Sequence, residues 1–403
     1  MAEHCDIALV GGGMVGLVLA SALTSAVRGV SLAILDRRPL DAGNDARASA
    51  ISPAGRRLFG ALGLWERLED AATPVAGMKI TDSGAGDISR PLFLTFEGGA
   101  AGEPLAWMVP NRVLSRVLLD AIDGAARVLA PAQIVGMTAD ASSARLALAD
   151  GREISAPLVV AADGGNSALR AMAGIGVVSH DYRQSGVVTT IGHELPHDGL
   201  AWEHFRPAGP FASLPLAGNR SSLVWTETPA EAARLRSLSR EAAAIEIEAA
   251  MGSCLGTVTV EEPLQAFPLK LVLARSFIGP RLALVGDAAH VIHPLAGQGL
   301  NLGLKDVAAL AETVTEAMRL GLDHGGPAVL EGYQRWRRFD TALMAATTDN
   351  LNRLFSNDAA PLRVARDLGL AAVDRMPAAK NWFTRRAAGI EAGGPRLLAG
   401  LPL

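Results

Sequence analysis

The chain has 403 residues, of which 49% are hydrophobic, and its formal net charge is −4. This length exceeds what one hydrophobic core usually supports, so we expect two closely joined domains and exclude a small disulfide-stapled scaffold. No block of Lys and Arg is present, which argues against nucleic acid as a partner. Cys5 and Cys254 are the two cysteines and fit no metal-binding pattern, which disfavours a zinc site and favours a reducing, cytoplasmic setting.

The start of the chain and its apolar runs bear on targeting. The N-terminus leads directly into an apolar strand, without the cationic and apolar regions of a signal peptide. Glycine, proline or charged residues interrupt every apolar run before the ~20 residues that a membrane helix needs. We therefore expect a chain that is not secreted and does not span a membrane.

Strand-like and helix-like segments alternate at both ends of the chain, which predicts an α/β domain built from separated parts of the sequence. In the first part we expect strands at 6–10 and 31–35, a helix at 54–68, a strand-rich excursion at 75–107, a helix at 111–123, and short strands at 127–129, 134–138, 145–148, 153–154 and 158–161. In a second block, 177–270, we expect strands at 186–191, 211–215 and 221–226 and a helical pair at 229–251. A last strand at 282–285 leads into a helix from Leu300 onward.

The first strand runs into a glycine-rich turn, in DIALVGGGMVGLVLASALTSAVRGVSLAILD. Gly11, Gly13 and Gly16 match the pattern GxGxxG, and Asp36 follows the second strand. Such a turn binds a dinucleotide, because the first glycine permits the tight turn, the second lets the pyrophosphate approach the backbone and the third lets helix and strand pack closely. Asp36 can accept hydrogen bonds from the adenosine ribose. FAD and NAD(P) share this adenosine diphosphate half, so the motif alone does not decide between them.

Two later strands also end at an acidic residue beside glycine. In VVAADGGNSALR, Asp163 is followed by Ser167 and Arg170 at the spacing DGxxSxxR. In LALVGDAAHVIHPLAGQGLNLGLKD, Gly286 and Asp287 close the strand. Alone, each acidic residue is most simply a helix cap or a turn residue. Together with GxGxxG, and in this order, they are far more specific for a cofactor site.

The segment after Asp287 contains several glycines at a strand-to-helix junction, where the main chain is not covered by side chains. Glycines there let N–H groups come close to a ligand, and the start of the helix favours anionic oxygen atoms. His290 and His293 form an HxxH pattern beside Pro294, yet no third metal ligand is apparent. A packing or hydrogen-bonding role is therefore the favoured interpretation of both histidines.

The three motifs together resemble the flavin-dependent aromatic hydroxylases related in fold to p-hydroxybenzoate hydroxylase. The string HPLAGQGLNLGLKD is similar to the signature of the ubiquinone-biosynthesis branch of that family, and DARASAIS, WMVPNRVLSRVLL and AWEHFRPAGPFASLPL extend the resemblance along most of the chain. The resemblance implies an α/β (α+β overall) fold with a Rossmann-type FAD-binding domain, a β-sheet substrate domain and a C-terminal helical tail. The implied boundaries are 1–75, 108–176 and 271–345 for the first domain, 76–107 and 177–270 for the second, and 346–403 for the tail.

The resemblance also implies roles for individual residues. Gly11, Gly13, Gly16 and Asp36 would hold the adenosine diphosphate part of FAD, with Arg47 and Asn111 near its phosphates and ribityl chain. Asp163 would lie near the pyrophosphate and serve NAD(P)H, and Gly286 and Asp287 would bind at the ribityl chain. Pro294 would face the reacting edge of the flavin, while Gly297, Gly299 and Asn301 would bring backbone N–H groups to its N1 and C2 carbonyl side.

The implied reaction is hydroxylation of an aromatic ring by O2, with NADH or NADPH as a transient reductant and a flavin C4a-hydroperoxide as oxidant. A polyprenyl phenol in ubiquinone biosynthesis is the expected substrate. Two alternatives stay open: a small soluble aromatic acid as substrate, and a non-catalytic flavoprotein subunit of a quinone-biosynthetic complex. We assign no catalytic side chain and no metal ligand, although Tyr182 is better placed than Tyr333 to meet a phenol.

The last part of the chain is basic and amphipathic. Its cationic residues are Arg353, Arg363, Arg366, Arg375, Lys380, Arg385, Arg386 and Arg396. Such a tail either touches anionic lipid or forms a helical hairpin that packs on the main body. The first alternative predicts a cytoplasmic protein that works at the inner face of the membrane or within a biosynthetic complex, and the sequence predicts no oligomeric state.

Overall fold

The structure, a computed structural model, describes residues 3–41, 43, 45–82, 92–99, 102–356, 388–389 and 393–403. The α-helices of these residues are α1 Met14–Ala26, α2 Pro53–Ala61, α3 Asn111–Ile122, α4 Ala168–Met172, α5 Pro229–Arg236, α6 Arg240–Met251, α7 Gln298–Arg319 and α8 Pro327–Phe355. None of the described helices is both long and apolar enough to cross a membrane.

The strands of the described residues pair into four sheets. In chain order they are β1 Glu3–His4, β2 Ile7–Val10, β3 Leu32–Leu35, β4 Ala48–Ile51, β5 Thr73–Val75, β6 Gly77–Asp82, β7 Leu92–Glu97, β8 Ala106–Pro110, β9 Arg127–Leu129, β10 Ile134–Ala139, β11 Ala144–Leu148, β12 Glu153–Ala156, β13 Leu158–Ala161, β14 Val177–His193, β15 Leu200–Phe205, β16 Phe211–Leu216, β17 Arg220–Glu227, β18 Val258–Val260, β19 Gln265–Ala274, β20 Ile278–Gly279, β21 Leu282–Leu284 and β22 His290–Val291.

A mostly parallel sheet of order β20-β21-β13-β2-β3-β9 forms the centre of the larger core. Strands β2, β3, β13 and β21 are buried along their whole length, as continuous apolar runs between helices must be. Helices α1, α3 and α7 pack around this sheet. The alternation of strands and helices that predicted an α/β fold is therefore confirmed.

A second, larger sheet has the order β22-β19-β14-β17-β16-β15-β6-β7, with β18 pairing on β14. One of its faces packs against α5 and α6 through a separate apolar cluster that includes Phe211, Trp225 and Ile247. The opposite face turns toward the parallel sheet and toward β4, which pairs with β8 in a small sheet of three strands. Helix α8 spans both regions, since its start packs on α7 and its end on β19 and Phe205.

Most predicted elements are confirmed, with three main differences in extent. The strand predicted at 186–191 is too short, since β14 runs from Val177 to His193. The helix predicted at 54–68 is too long: α2 ends at Ala61, because Gly63 adopts a positive φ of 68° and the chain continues in two 3-10 turns. The helix predicted from Leu300 begins two residues earlier, at Gln298. The predicted helical pair at 229–251 is confirmed as α5 and α6.

Much of the predicted tail lies outside the described residues, including Arg363, Arg366, Arg375, Lys380, Arg385 and Arg386. Within the described part, α8 continues to Phe355, and Arg353 forms an exposed ion pair with Asp349 at 3.0 Å. Further along, the backbone N–H of Arg396 donates to Glu312 of α7 at 2.7 Å.

Candidate active site

Four of the predicted site segments meet at one edge of the parallel sheet. Strands β21, β13, β2 and β3 are adjacent and parallel, and just beyond their carboxyl ends lie Gly286, Asp163, Gly11 and Asp36 respectively. Open α/β sheets bind ligands in the crevice outside the carboxyl ends of their strands. The topology thus brings together residues that are up to 275 positions apart, from Gly11 to Gly286.

Backbone packing requires glycine at two positions of the first motif. Gly11 has a φ of 112°, and a Cβ atom there would lie 2.2 Å from the carbonyl oxygen of Ala162. A Cβ atom on Gly16 would lie 2.1 Å from the carbonyl oxygen of Gly11. Gly13 differs, since no described atom lies within 4 Å of its Cβ position. It borders open space in front of α1, where unpaired N–H groups favour an anion.

Val15, in the glycine-rich turn and helix α1, contacts two glycines of the later segment that carries Asp287. A Cβ atom on Gly303 would lie 2.6 Å from its Cγ2 atom, and one on Gly286 would lie 3.1 Å from its Cγ1 atom. Helices α1 and α7 therefore approach closely only because α7 carries glycine at the crossing. This packing fixes the N-termini of both helices at the same crevice.

Asp36 is hydrogen-bonded to the glycine-rich turn. Its Oδ2 atom accepts a hydrogen bond from the backbone N–H of Gly12 at 2.9 Å, and its Oδ1 atom accepts one from Arg38 at 2.9 Å. Each carboxylate oxygen can accept a second hydrogen bond. Asp36 is thus placed where the GxGxxG pattern predicts a partner for a ribose hydroxyl.

Arg47 and Asn111 are held together by Asp45, a residue that the sequence reasoning missed. Asp45 accepts two hydrogen bonds from the Arg47 guanidinium, both at 2.8 Å, and one from the Asn111 amide at 2.9 Å. Burial opposes ionisation of Asp45, but these donors outweigh it and lower its pKa to about 2. The guanidinium also lies over the ring of Phe267, 5.1 Å from its centroid. Both predicted residues are therefore held in fixed orientations by one carboxylate.

Asp163 caps a helix. Its Oδ2 atom accepts hydrogen bonds from the backbone N–H groups of Ala168 and Leu169 at 2.8 and 3.3 Å, so it ties the strand end to α4. The adjoining Arg170 is buried and donates to the carbonyl oxygens of Gly165 and Ala288 at 2.9 and 2.7 Å. The segment that carries Asp163 and Arg170 thus supports the turn that carries Asp287. The role predicted for Asp163 toward the cofactor stays a prediction.

Asp287 offers a free carboxylate at the carboxyl end of β21. No described residue hydrogen-bonds to it, and solvent reaches its side chain. Desolvation of the carboxyl group by the surrounding protein raises its pKa, whereas the charges of His290, Arg47 and Lys270 act to lower it. The Arg47 charge thus acts on the Asp287 carboxylate through space.

The turn that carries Asp287 rests on a buried ionic network around Asp306. The Asp306 carboxylate is fully buried and accepts from the Gly286 N–H at 2.9 Å, His290 Nε2 at 2.6 Å and Arg337 Nε at 2.7 Å. Burial would raise its pKa, but the charges and hydrogen bonds of His290 and Arg337 lower it. The predicted hydrogen-bonding role of His290 is confirmed. Arg337, on α8, was missed because it is 31 positions from Asp306 in a different helix.

The strand-to-helix junction leaves its glycines where a ligand could approach. Pro294 precedes a 3-10 turn, Leu295–Gly297, that leads directly into α7. Gly297 adopts the left-handed conformation with a φ of 62°, and its Cβ position lies 3.1 Å from that of Ala50. The Cβ position of Gly299 has no described atom within 4 Å. The first turn of α7 therefore faces open space beside β4.

Asn301 holds this junction through its side chain. The amide group donates to the carbonyl oxygens of Ala50 at 2.9 Å and Gly297 at 3.2 Å, and its oxygen accepts from the Ser52 N–H at 2.9 Å. These bonds occupy the side-chain amide of Asn301. The segment can therefore offer a ligand its backbone N–H groups, as predicted.

His293 is buried and has no hydrogen-bond partner among the described residues. It is 0% exposed, neither ring nitrogen has a donor or acceptor, and its ring packs edge-on against Tyr182 at 5.2 Å between centroids. Burial lowers its pKa to about 4, although the Asp349 carboxylate opposes this. The packing role predicted for His293 is confirmed. The Tyr182 hydroxyl is likewise buried, and burial together with Asp349 raises its pKa.

This environment predicts a pH-dependent stability. Below about pH 6.5 the unfolded chain protonates His293 while the folded chain does not, so stability falls with pH until about pH 4. Replacing His293 by Asn should therefore remove about 1.4 kcal/mol of the stability difference between about pH 7.5 and about pH 5.5. Urea unfolding at both pH values measures this, with replacement of the exposed His4 by Asn as control. An identical pH dependence in wild type and the His293 variant would contradict it.

Comparison with known proteins places this site in a family. Residues 4–347 match the FAD binding domain family. The chain is 46% identical to the ubiquinone hydroxylase UbiL of Rhodospirillum rubrum, over 99% of this chain and 93% of that protein. It is 36% identical to the 3-demethoxyubiquinol 3-hydroxylase of Escherichia coli, over 96% of this chain and 99% of that protein.

The chain is an FAD-dependent aromatic hydroxylase of the ubiquinone-hydroxylase family. Human COQ6, a ubiquinone biosynthesis monooxygenase, is 32% identical over 93% of this chain and 91% of that protein. Among solved structures, p-nitrophenol 4-monooxygenase PnpA from Pseudomonas putida superposes with a TM-score of 0.79 and 18% identity, over 97% of this hydroxylase and 100% of that chain. At this identity the superposition supports the fold alone, which is that of the flavoprotein monooxygenases.

The crevice of this hydroxylase fits the FAD that its family binds. Space is open in front of Gly13 and Gly299, and Asp36 and Asp287 present carboxylate oxygens with acceptor capacity left. The N-termini of α1 and α7 add two regions of partial positive charge, suited to the pyrophosphate and to the anionic edge of a reduced flavin. When bound, FAD supplies the redox chemistry, and the protein supplies binding, orientation and exclusion of water.

Proposed function

We propose that the hydroxylase oxidises the ring of a polyprenyl phenol, with O2 as oxygen donor and NADH or NADPH as a transient reductant. The observation that carries this proposal is 46% identity to a ubiquinone hydroxylase over 99% of the chain. The individual FAD contacts given above for Gly11, Gly13, Arg47 and Asp287 belong to the same proposal.

The walls of the crevice support an apolar substrate. Phe205, Leu295 and Phe355 form a buried apolar cluster, with Ile80 packed against it, directly beyond Pro294. The rings of Phe205 and Phe355 stack at 4.0 Å. Such a lining favours burial of a prenylated ring and keeps water from the reacting atoms.

We further propose that the hydroxylase meets this substrate at the inner face of the cytoplasmic membrane, alone or within a biosynthetic complex. A polyprenyl chain partitions into lipid, because each buried methylene contributes about 0.8 kcal/mol. None of the described helices can span a membrane, so in this proposal the described part of the chain takes the ring from the membrane surface.

Turnover of matched substrates tests the proposal. FAD-loaded protein should consume NADH or NADPH and form hydroxylated product with a prenylated phenol in lipid vesicles, and do so far more slowly with a soluble aromatic acid such as salicylate. The physical reason is that the acid cannot fill the apolar cluster and places a charge in it. Product is measured by mass spectrometry alongside reductant consumption. Faster product formation from the soluble acid would contradict the proposed substrate class.

A further inference from the structure

Glu203 is a buried carboxyl group without a partner among the described residues. It lies on β15, is 7% exposed, and no described residue hydrogen-bonds to it or forms an ion pair with it. Burial raises its pKa to about 7. Buried carboxyl groups are nearly always paired, because desolvating one without compensation is costly. The free group therefore points to a ligand that supplies the missing donor.

The Glu203 side chain lies on the face of β15 that is turned toward the crevice. Side chains two positions apart in a strand share a face, so Glu203 lies on the face of Ala201 and Phe205. Ala201 belongs to the apolar cluster that includes Ala50, whose carbonyl oxygen binds Asn301 at the start of α7. Phe205 belongs to the cluster of Leu295. The Glu203 carboxyl group thus faces the gap between β4 and the turn that begins α7.

The groups beside Glu203 on this face are apolar. The register of the sheet places Ile80 of β6 and Ala212 of β16 directly next to it. Neither carries a donor or a charge in its side chain, and the next acidic residue along this face is the buried Asp82, which lies beside Phe205 in the register. Such a patch suits an aromatic ring that carries a single hydroxyl group.

We propose that Glu203 binds the phenolic hydroxyl group of the substrate and takes up its proton. The inference rests on the proposed function. The O–H bond breaks so that its electron pair stays on the ring oxygen, which activates the ring toward an electrophilic oxygen, and the proton bonds to a carboxylate oxygen. Hydroxylation replaces a ring C–H bond by a C–O bond, the hydrogen leaves that carbon as a proton, and the second oxygen atom of O2 leaves as water. The proton held by Glu203 returns to the ring oxygen, so Glu203 ends as it began. The electrons for reduction of O2 come from the reductant of the monooxygenase reaction.

The same carboxylate defines the class of substrate. A benzoate or salicylate would bring a second negative charge into this buried patch, where like charges repel strongly. A neutral phenol instead satisfies the carboxylate by donating a hydrogen bond. Glu203 thus selects a neutral phenol over an aromatic acid.

Replacing Glu203 by Gln tests the role, because the amide keeps the size of the side chain but accepts no proton. In the FAD-loaded enzyme, kcat/KM for a prenylated phenol should fall by about a hundredfold or more. Flavin content and the rate of flavin reduction by NAD(P)H should stay as in wild type. Glu227→Gln is the matched control: Glu227 is also 7% exposed, but it accepts from Trp225 at 3.0 Å on the opposite face of the sheet and should tolerate the change.

A second substrate separates proton transfer from a merely structural role. A fluorinated phenol with the same prenyl tail is ionised at neutral pH and needs no proton acceptor. Wild type should turn it over more slowly than the parent phenol, because two anions repel, whereas the Glu203→Gln variant should prefer it. This reversal of preference would not arise from a general loss of packing.

Two results would overturn the inference. One is a Glu203→Gln variant whose kcat/KM for the parent phenol stays within about threefold of wild type. The other, which needs no variant, is wild-type enzyme that turns over the ionised phenol as fast as the neutral one. In both cases wild type still hydroxylates phenols, so the proposed function stands. A wild-type enzyme that hydroxylates no phenol would overturn both proposals.

Discussion

Replacing Asp306 by Ala is expected to lower the free energy of unfolding by about 3–5 kcal/mol, because it leaves a buried charge uncompensated. The carboxylate is 0% exposed and pairs with Arg337, which is itself 4% exposed. Without it, the guanidinium keeps only Asp340 at 2.8 Å as an acidic partner among the described residues, and Asp340 also binds Lys305. The Gly286 N–H and the His290 ring lose their acceptor in the same step.

Urea unfolding of the purified FAD-loaded protein measures this loss. Asp120 provides the control, since its ion pair with Arg67 is exposed and such pairs contribute about 0–1 kcal/mol. Asp120→Ala should therefore leave the unfolding midpoint nearly unchanged. A loss below about 1 kcal/mol in Asp306→Ala would mean that the network does not hold the turn as the structure indicates.

Replacing Asp287 by Ala is expected to weaken FAD binding by about 10- to 100-fold, the effect of losing a hydrogen bond from a charged group. We propose that this carboxylate accepts a bond from a ribityl hydroxyl. No described residue hydrogen-bonds to it, and its neighbours Gly286 and His290 are fixed by Asp306, so its position is set before the cofactor binds. Preorganisation of this kind lowers the entropic cost of binding.

Flavin fluorescence titration of the apoprotein gives the affinity directly. Asp70→Ala is a suitable control, because Asp70 is an exposed residue of a 3-10 turn outside the crevice. The fold should be unaffected in both variants, since no described residue hydrogen-bonds to Asp287. Equal affinities in wild type and Asp287→Ala would remove Asp287 from the set of cofactor ligands.

Local sequence patterns were sufficient for the strands, turns and helices that border the crevice, but not for the full length of β14 or for β15 and β19. The run from Asp6 to Asp36 contains a strand, glycines and a helix whose spacing is dictated by the turn itself, so neighbouring residues determine it. The positions of Asp163 and Asp287 at the edge of the sheet could be predicted because each closely follows an apolar strand. Parallel strands then bring such segments to one edge without further information.

Contacts between distant side chains could not be predicted in this way. Arg337 lies in a helix whose pattern indicates only an apolar face, and nothing local shows that it reaches Asp306. Glu203 stands in the strand AWEHF among residues compatible with either face, so its burial depends on the pairing of β15 with β6 and β16. Of the residues that were missed, Asp45 would have been the easiest to predict, because its spacing from Arg47 allows a local ion pair.

Labelled dioxygen provides the most direct test of the central claim that this chain is an FAD monooxygenase acting on a prenylated phenol. The FAD-loaded enzyme is given the prenylated phenol, NADH or NADPH, isotopically labelled O2 and ordinary water, and the product is analysed by mass spectrometry. The account predicts one labelled oxygen atom in each hydroxylated ring. A product whose new oxygen comes from water, or reductant consumption that yields no hydroxylated ring, would contradict it.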